Sequence, residues 1–146
     1  MKKNILSLSI LFLILEGCSK NEDSNIINEN ISINNKWMLN KSIYQNVSQN
    51  LSNCEKQGYI HFFTNNTFER KNYEFIGNNC VLEGVDTGTY NYNSLDEKIT
   101  LQFIDINDGP QIENLVNVNL TNLKLTFDWD EDLNGINEYN LEFIKE

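Results

Sequence analysis

The sequence predicts an all-β fold, a small eight-stranded antiparallel up-and-down barrel over residues 34–146, behind an N-terminal signal segment. Two observations predict it. From Trp37 onward, apolar and polar residues alternate with a period of two, and no stretch carries the apolar stripe of a helix. Short turn signals separate the apolar runs, so consecutive strands are expected to be antiparallel neighbours. Strands with one apolar face each are satisfied by closure into a barrel, because closure removes exposed edges. Alternation alone fits a two-sheet sandwich equally well, since both architectures bury one face of every strand.

The first strand is read from Trp37, Leu39 and Ile43, with Lys41 as the polar member of that face. Tyr59 to Phe63 forms a short, strongly apolar strand, and Asn65-Asn66 is the turn after it. Thr67 to Phe75 is a polar, charged strand whose apolar content is Phe68, Tyr73 and Phe75. Val85 to Tyr92 follows a loop that contains Cys80, and Asp96-Glu97 closes that unit. Ile99, Leu101 and Phe103 share one face; Ile112, Val116, Val118 and Leu120 share another, with Asp105 to Pro110 as the loop between. Thr121-Asn122 is short enough for a tight hairpin. Leu123, Leu125, Phe127 and Trp129 then alternate with Lys124, Thr126 and Asp128, and Tyr139, Leu141 and Phe143 repeat the pattern.

Upstream of this domain, Lys2 and Lys3 precede an apolar stretch from Ile5 to Leu15, and Cys18 follows Leu15-Glu16-Gly17. A cationic start, a short apolar run and a small residue before the cut make a secretory signal; the run is too short to cross a bilayer as a stable helix. A cysteine at the first mature position resembles the bacterial lipoprotein signal, which implies residues 1–17 as signal peptide and a diacylglyceryl group on the Cys18 thiol. Ordinary secretion, with Cys18 incidental, is the plainer alternative. Residues 18–33 are polar and Asn-rich with nothing to bury, and are expected to form a flexible tether. Their Lys20-Asn21-Glu22-Asp23 resembles the surface-export signal of Bacteroidetes lipoproteins, against a plain spacer on the periplasmic side. The expected location is the bacterial cell envelope, at the outer membrane, with the membrane held through N-terminal acyl chains.

The charge balance excludes some partners. A net charge of -10 argues against non-specific nucleic-acid binding, and against a basic patch that would hold the domain flat on anionic lipid. Of three cysteines, acylation of Cys18 leaves Cys54 and Cys80 as an even pair, expected to form a disulfide in an oxidising compartment. Two free thiols are disfavoured by their polar surroundings, and zinc by the single imidazole, His61.

Several pieces carry a wider resemblance: Lys36-Trp37-Met38-Leu39, Asn53-Cys54-Glu55 before Tyr59-Ile60-His61-Phe62, Phe63-Thr64-Asn65-Asn66-Thr67-Phe68, Cys80, Gly88-Thr89-Tyr90, Leu123-Lys124-Leu125-Thr126 and Tyr139-Asn140-Leu141-Glu142-Phe143. In that order and spacing, the segment from Asn34 to Lys145 resembles the lipocalin-like domain of many Bacteroidetes lipoproteins. In lipocalins the first strand opens with G-x-W, whose Trp plugs the closed end of the barrel; Trp37 occupies that position and Asn35 stands where the Gly would be. Asn tolerates positive φ better than most residues. The resemblance implies the pairing of Cys54 with Cys80 and a barrel able to hold a small apolar ligand, and it supplies no catalytic residues.

An eight-stranded barrel is only just wide enough to be filled by side chains or to accept one small molecule. The bulk of Trp37, Leu101, Phe103, Phe127, Tyr139 and their neighbours predicts a largely filled interior with a shallow mouth. Trp37, Phe63, Phe103, Phe127 and Tyr139 are the candidate ligand contacts, and core packing is their competing role. Asp130, Asp132 and Asn134 before Gly135 reproduce the first half of a calcium loop, but the bidentate Glu of the second half falls on Leu141. A solvated acidic hairpin loop accounts for the same residues, and no other cofactor is expected. No G-x-S-x-G, phosphate-cradling glycine loop or paired metal histidines is present, so the expectation is a non-enzyme. Two functions fit: capture of a small hydrophobic molecule, or a structural or interaction module of the envelope with a filled barrel.

Overall fold

The computed structural model describes residues 31–105, 108–130 and 134–146. Nine strands run β1 (Lys36–Tyr44), β2 (Val47–Ser48), β3 (Tyr59–Phe62), β4 (Thr67–Ile76), β5 (Asn79–Asn93), β6 (Lys98–Asp105), β7 (Gly109–Leu120), β8 (Lys124–Trp129) and β9 (Tyr139–Lys145). All pairings are antiparallel, and β1 also pairs with β9, so β1 and β3 to β9 close into an eight-stranded barrel. The sandwich alternative is thereby excluded. The extra strand β2 folds back on β1 through Gln45 and Asn46, both at positive φ (47° and 66°), as a tight two-residue hairpin turn requires.

Strand boundaries depart from the sequence reading in three places. Cys80 lies inside β5, opposite Phe75, because β4 and β5 continue to a two-residue turn at Gly77-Asn78, where Gly77 supplies a φ of 64°. Asp105 and Gly109 pair at the ends of β6 and β7, which shortens the expected loop. Leu123 belongs to the turn after β7, where the Thr121 N–H donates to the Lys124 carbonyl, and its side chain is exposed.

Bulges in β1 and β7 reset which of their residues face inward. In β1 the register passes from Leu39 opposite Phe143 to Lys41 opposite Glu142, leaving Asn40 as the extra residue. Trp37 and Leu39 therefore point in, and the next inward residue is Ser42, which is buried, in place of the expected Ile43. In β7 the break falls between Val116 and Asn119, with Asn117 at a φ of 52°. Leu115 and Val118 are buried in consequence, whereas Ile112, expected on the Val118 face, is 58% exposed.

One end of the barrel is packed shut. Trp37 is fully buried there and its indole N–H donates to the Ile33 carbonyl at 2.8 Å. Asn35 closes the preceding turn by hydrogen bonds from its backbone N–H to the Ile33 carbonyl and from its amide to the Ser32 carbonyl, without a positive φ. Phe62, Phe68, Tyr90 and Phe103 fill the space above Trp37, with edge-on contacts between Phe62 and Tyr90 and between Phe68 and Phe103. Tyr90 adds hydrogen bonds from its hydroxyl to the Asn34 side chain and the Phe63 carbonyl.

β1 and β3 pair over only three residues, Lys36 to Met38, at this closed end, and no longer pair toward the opposite end. The opening beyond is covered by Leu51 to Gly58, which ends in a 3-10 turn (Glu55–Gln57). A disulfide between Cys54 and Cys80 ties this segment to the β4–β5 hairpin. The Leu39 N–H donates to the Gly58 carbonyl and anchors its other side.

Candidate functional site

Above the packed end the barrel holds a cavity of about 580 Å³. The expectation of a largely filled interior is corrected here. Two inward positions carry small residues: Ser42 on β1 and Gly84 on β5 line the cavity, and a Cβ added at Gly84 would meet no atom within 4 Å. The volume lies in the range of small-molecule sites, about 300 to 1,000 Å³.

Apolar and polar linings are segregated by strand. Leu39, Leu115, Phe127, Trp129, Tyr139 and Leu141 come from β1, β7, β8 and β9. Arg70 and Asn72 from β4, Asp86 from β5, and Glu55, Glu74 and Glu83 nearer the opening bring the polar groups. Alternation explains the placement. Phe68, Arg70 and Asn72 share one face of β4; Gly84, Asp86, Gly88 and Tyr90 share one face of β5, beyond the register shift that leaves Glu83 unpaired.

Arg70 anchors this polar wall. Its Nε donates to Asp86 Oδ2 at 2.8 Å, and its two terminal nitrogens form a fork to Glu113 at 2.7 and 3.0 Å. The guanidinium carbon lies 5.5 Å from the ring centres of both Phe103 and Trp129. All three charged side chains are largely buried, at 15%, 19% and 12% exposure for Arg70, Asp86 and Glu113. Burial by itself disfavours the guanidinium charge, but the hydrogen bonds and charges of Glu113 and Asp86 outweigh it and raise the Arg70 pKa above its ordinary value. Among the described residues, one buried side-chain polar atom has no partner, the indole nitrogen of Trp129. It sits on a cavity-lining residue and is a donor without an acceptor.

The sequence candidates scatter around this site. Phe127 and Tyr139 line the cavity. Trp37 is sealed in the packed end, and Phe103 lies beneath Arg70 at 8% exposure. Phe63 is outside the barrel, 37% exposed, with its ring 3.9 Å from that of His61. Cys54 and Cys80 form their disulfide, and neither lines the cavity. Cys18 lies outside the described residues, as does Asp132 of the calcium reading. Asp130 and Asn134 are described: the Asp130 carboxylate accepts the backbone N–H groups of Asn134 and Gly135, and the Asn134 side-chain oxygen accepts that of Ile136. These are turn-closing bonds of the kind that Asp and Asn make without a metal. No group of three metal-ligating side chains occurs among the described residues. Sequence reasoning missed Arg70, Asp86 and Glu113, although the shared parity of Phe68 and Arg70 carried a signal.

No curated protein matches the chain. The crystal structure of a lipocalin-like protein from Bacteroides uniformis is similar in fold, with a TM-score of 0.50 at 13% identity, over 77% of this chain and 96% of that one. The family profile described as "Lipocalin-like domain" matches residues 33–127, more than half of the chain, from the residues that pack beneath Trp37 to the cavity wall at Phe127. The chain belongs to the lipocalin-like domain family.

Proposed function

We propose that this protein is a lipid-anchored component of the bacterial envelope that captures a small, partly apolar molecule in its barrel, without transforming it. The cavity carries this reading: about 580 Å³, walled on one side by apolar and aromatic side chains. An apolar body would rest against Leu39, Phe127, Tyr139 and Leu141, and an uncharged oxygen on the ligand would satisfy the orphaned indole N–H of Trp129. The family is a binding fold in general, and that supports a non-catalytic role. Anchoring rests on the sequence around Cys18, whose thiol is the proposed acylation point. The filled-barrel module loses support from the same cavity.

Titration with the apolar fluorophore N-phenyl-1-naphthylamine tests capture. The native chain should enhance its emission, and Gly84→Leu should abolish the enhancement while keeping the thermal unfolding transition, because Gly84 lines the cavity and a Cβ there meets open space. No enhancement with the native chain would overturn capture. Intact-mass measurement of the protein from its native membrane should show a diacylglyceryl cysteine at the start of the mature chain; an unmodified residue 18 would overturn anchoring.

A further inference from the structure

We propose that the cavity selects an organic cation, an amine or ammonium group carried on an apolar body, over a carboxylate of the same size. The inference deepens the capture reading and rests on it. Its first support is the commitment of Arg70, the one cationic side chain on the wall among the described residues. Arg70 is already engaged by two carboxylates, Asp86 through Nε and Glu113 through both terminal nitrogens, so a ligand carboxylate would enter as a third anion. Bringing an anion into this low-dielectric space beside Asp86 costs more than the remaining guanidinium hydrogens return.

The entrance has the same sign. Glu55, Glu74 and Glu83 line the route from solvent, and among the described residues none of them forms an ion pair with a lysine or arginine. Acidic groups on low-dielectric walls concentrate cations and repel anions. The rings of Tyr73, Phe127 and Tyr139 are also on the wall, and ring faces attract ammonium groups. Cavity, committed guanidinium, carboxylate entrance and aromatic wall therefore favour one class of ligand head group.

Three matched probes test this on the full chain in non-ionic detergent: 4-phenylbutylamine, 4-phenylbutyrate and 4-phenylbutanol, each titrated at pH 7 as competitor of bound N-phenyl-1-naphthylamine. The amine should displace the fluorophore at a concentration at least about tenfold below that of the carboxylate, with the alcohol between them. Equal potency, or a more potent carboxylate, overturns the selectivity and leaves capture standing. Absence of fluorophore binding sinks capture itself, a separate outcome. The double variant Glu74→Gln/Glu83→Gln changes only residues at the opening and should cut amine potency by about threefold or more while leaving the alcohol unaffected. If amine and alcohol keep their wild-type ratio in that variant, the entrance carboxylates do not select.

Discussion

The two ends of the barrel are made by the same strands and differ in what the inward positions carry. At the closed end those positions hold Trp37, Phe62, Phe68 and Tyr90, all nearly inaccessible, with the chain of Ile33 to Asn35 folded beneath as a floor. At the open end they hold Ser42, Arg70, Gly84 and Asp86 around a space, with Glu113 bound to Arg70. Stability is concentrated where volume is filled, and recognition becomes available where small and charged residues leave volume empty. Arg70 sits at the boundary, its guanidinium over the ring of Phe103 and its charge matched by Asp86 and Glu113.

The contrast breaks most sharply at Trp37. Trp37→Ala would remove a fully buried indole and its hydrogen bond to Ile33, and should cost about 3 to 5 kcal/mol in urea unfolding. Leu141→Ala, on the wall of a space that is already open, creates little new void and should cost only about 1 kcal/mol. Equal losses at the two sites would mean that the cavity end is packed as tightly as the floor.

The same division governs what the sequence discloses. Strands β6, β8 and β9 were legible because Ile99-Leu101-Phe103, Leu125-Phe127-Trp129 and Tyr139-Leu141-Phe143 keep one apolar face without interruption. Alternation failed where a bulge changed parity, at Asn40 and Asn117, since an extra residue leaves no mark in the hydrophobic pattern on its side of the break. It failed again at Arg70, which shares the parity of Phe68 but, in a strand rich in charges, reads as solvent-facing. Its neutralising partner Glu113 lies 43 residues away, on a strand with which β4 does not pair, so the condition for burying the charge is invisible locally. The cavity was illegible for the same reason: its emptiness comes from Ser42 and Gly84, small residues whose inward direction only the closed sheet defines.

The disulfide sharpens the comparison at the next level. Cys54 and Cys80 are 26 residues apart, and replacing both by serine should destabilise the domain by about 3 kcal/mol in the chain-entropy description. The loss should be felt unevenly. Leu51 to Gly58 would lose its tie to the β4–β5 hairpin, while the floor around Trp37 has no covalent link to lose. Amide hydrogen exchange should therefore accelerate at Glu55 to Gly58 well before it does at Trp37 and Phe62. Uniform acceleration would show that the open end is not an independent opening unit.

The smallest expected effect concerns Glu55, which closes that wall by a reciprocal pair: its carboxylate accepts the Ser52 N–H at 2.7 Å, and its own N–H donates to the Ser52 hydroxyl oxygen at 3.2 Å. Hydrogen bonds from the Ser52 hydroxyl and backbone hold its pKa below the ordinary value of 4.5, against a weaker opposing effect of burial. A depressed carboxylate stabilises the folded state fully above its unfolded pKa, and the contribution is lost as pH falls through the lower folded value. Glu69 and Glu142 are depressed in the same direction, by hydrogen bonds from Tyr59 and Lys124 respectively, so overall stability also declines below pH about 4.5. Glu55→Gln keeps an acceptor for the Ser52 N–H and no longer titrates. The gap in melting temperature between wild type and this variant should be constant from pH 7 to 5 and then shrink below about pH 4.5, by no more than about 4 °C in all. Over the same range, exchange at Lys56 to Gly58 should quicken in the wild type and stay level in the variant, because only the wild type loses the carboxylate that pins the open end. A gap that widened on acidification would place the Glu55 charge on the destabilising side and detach this wall from the capping pair.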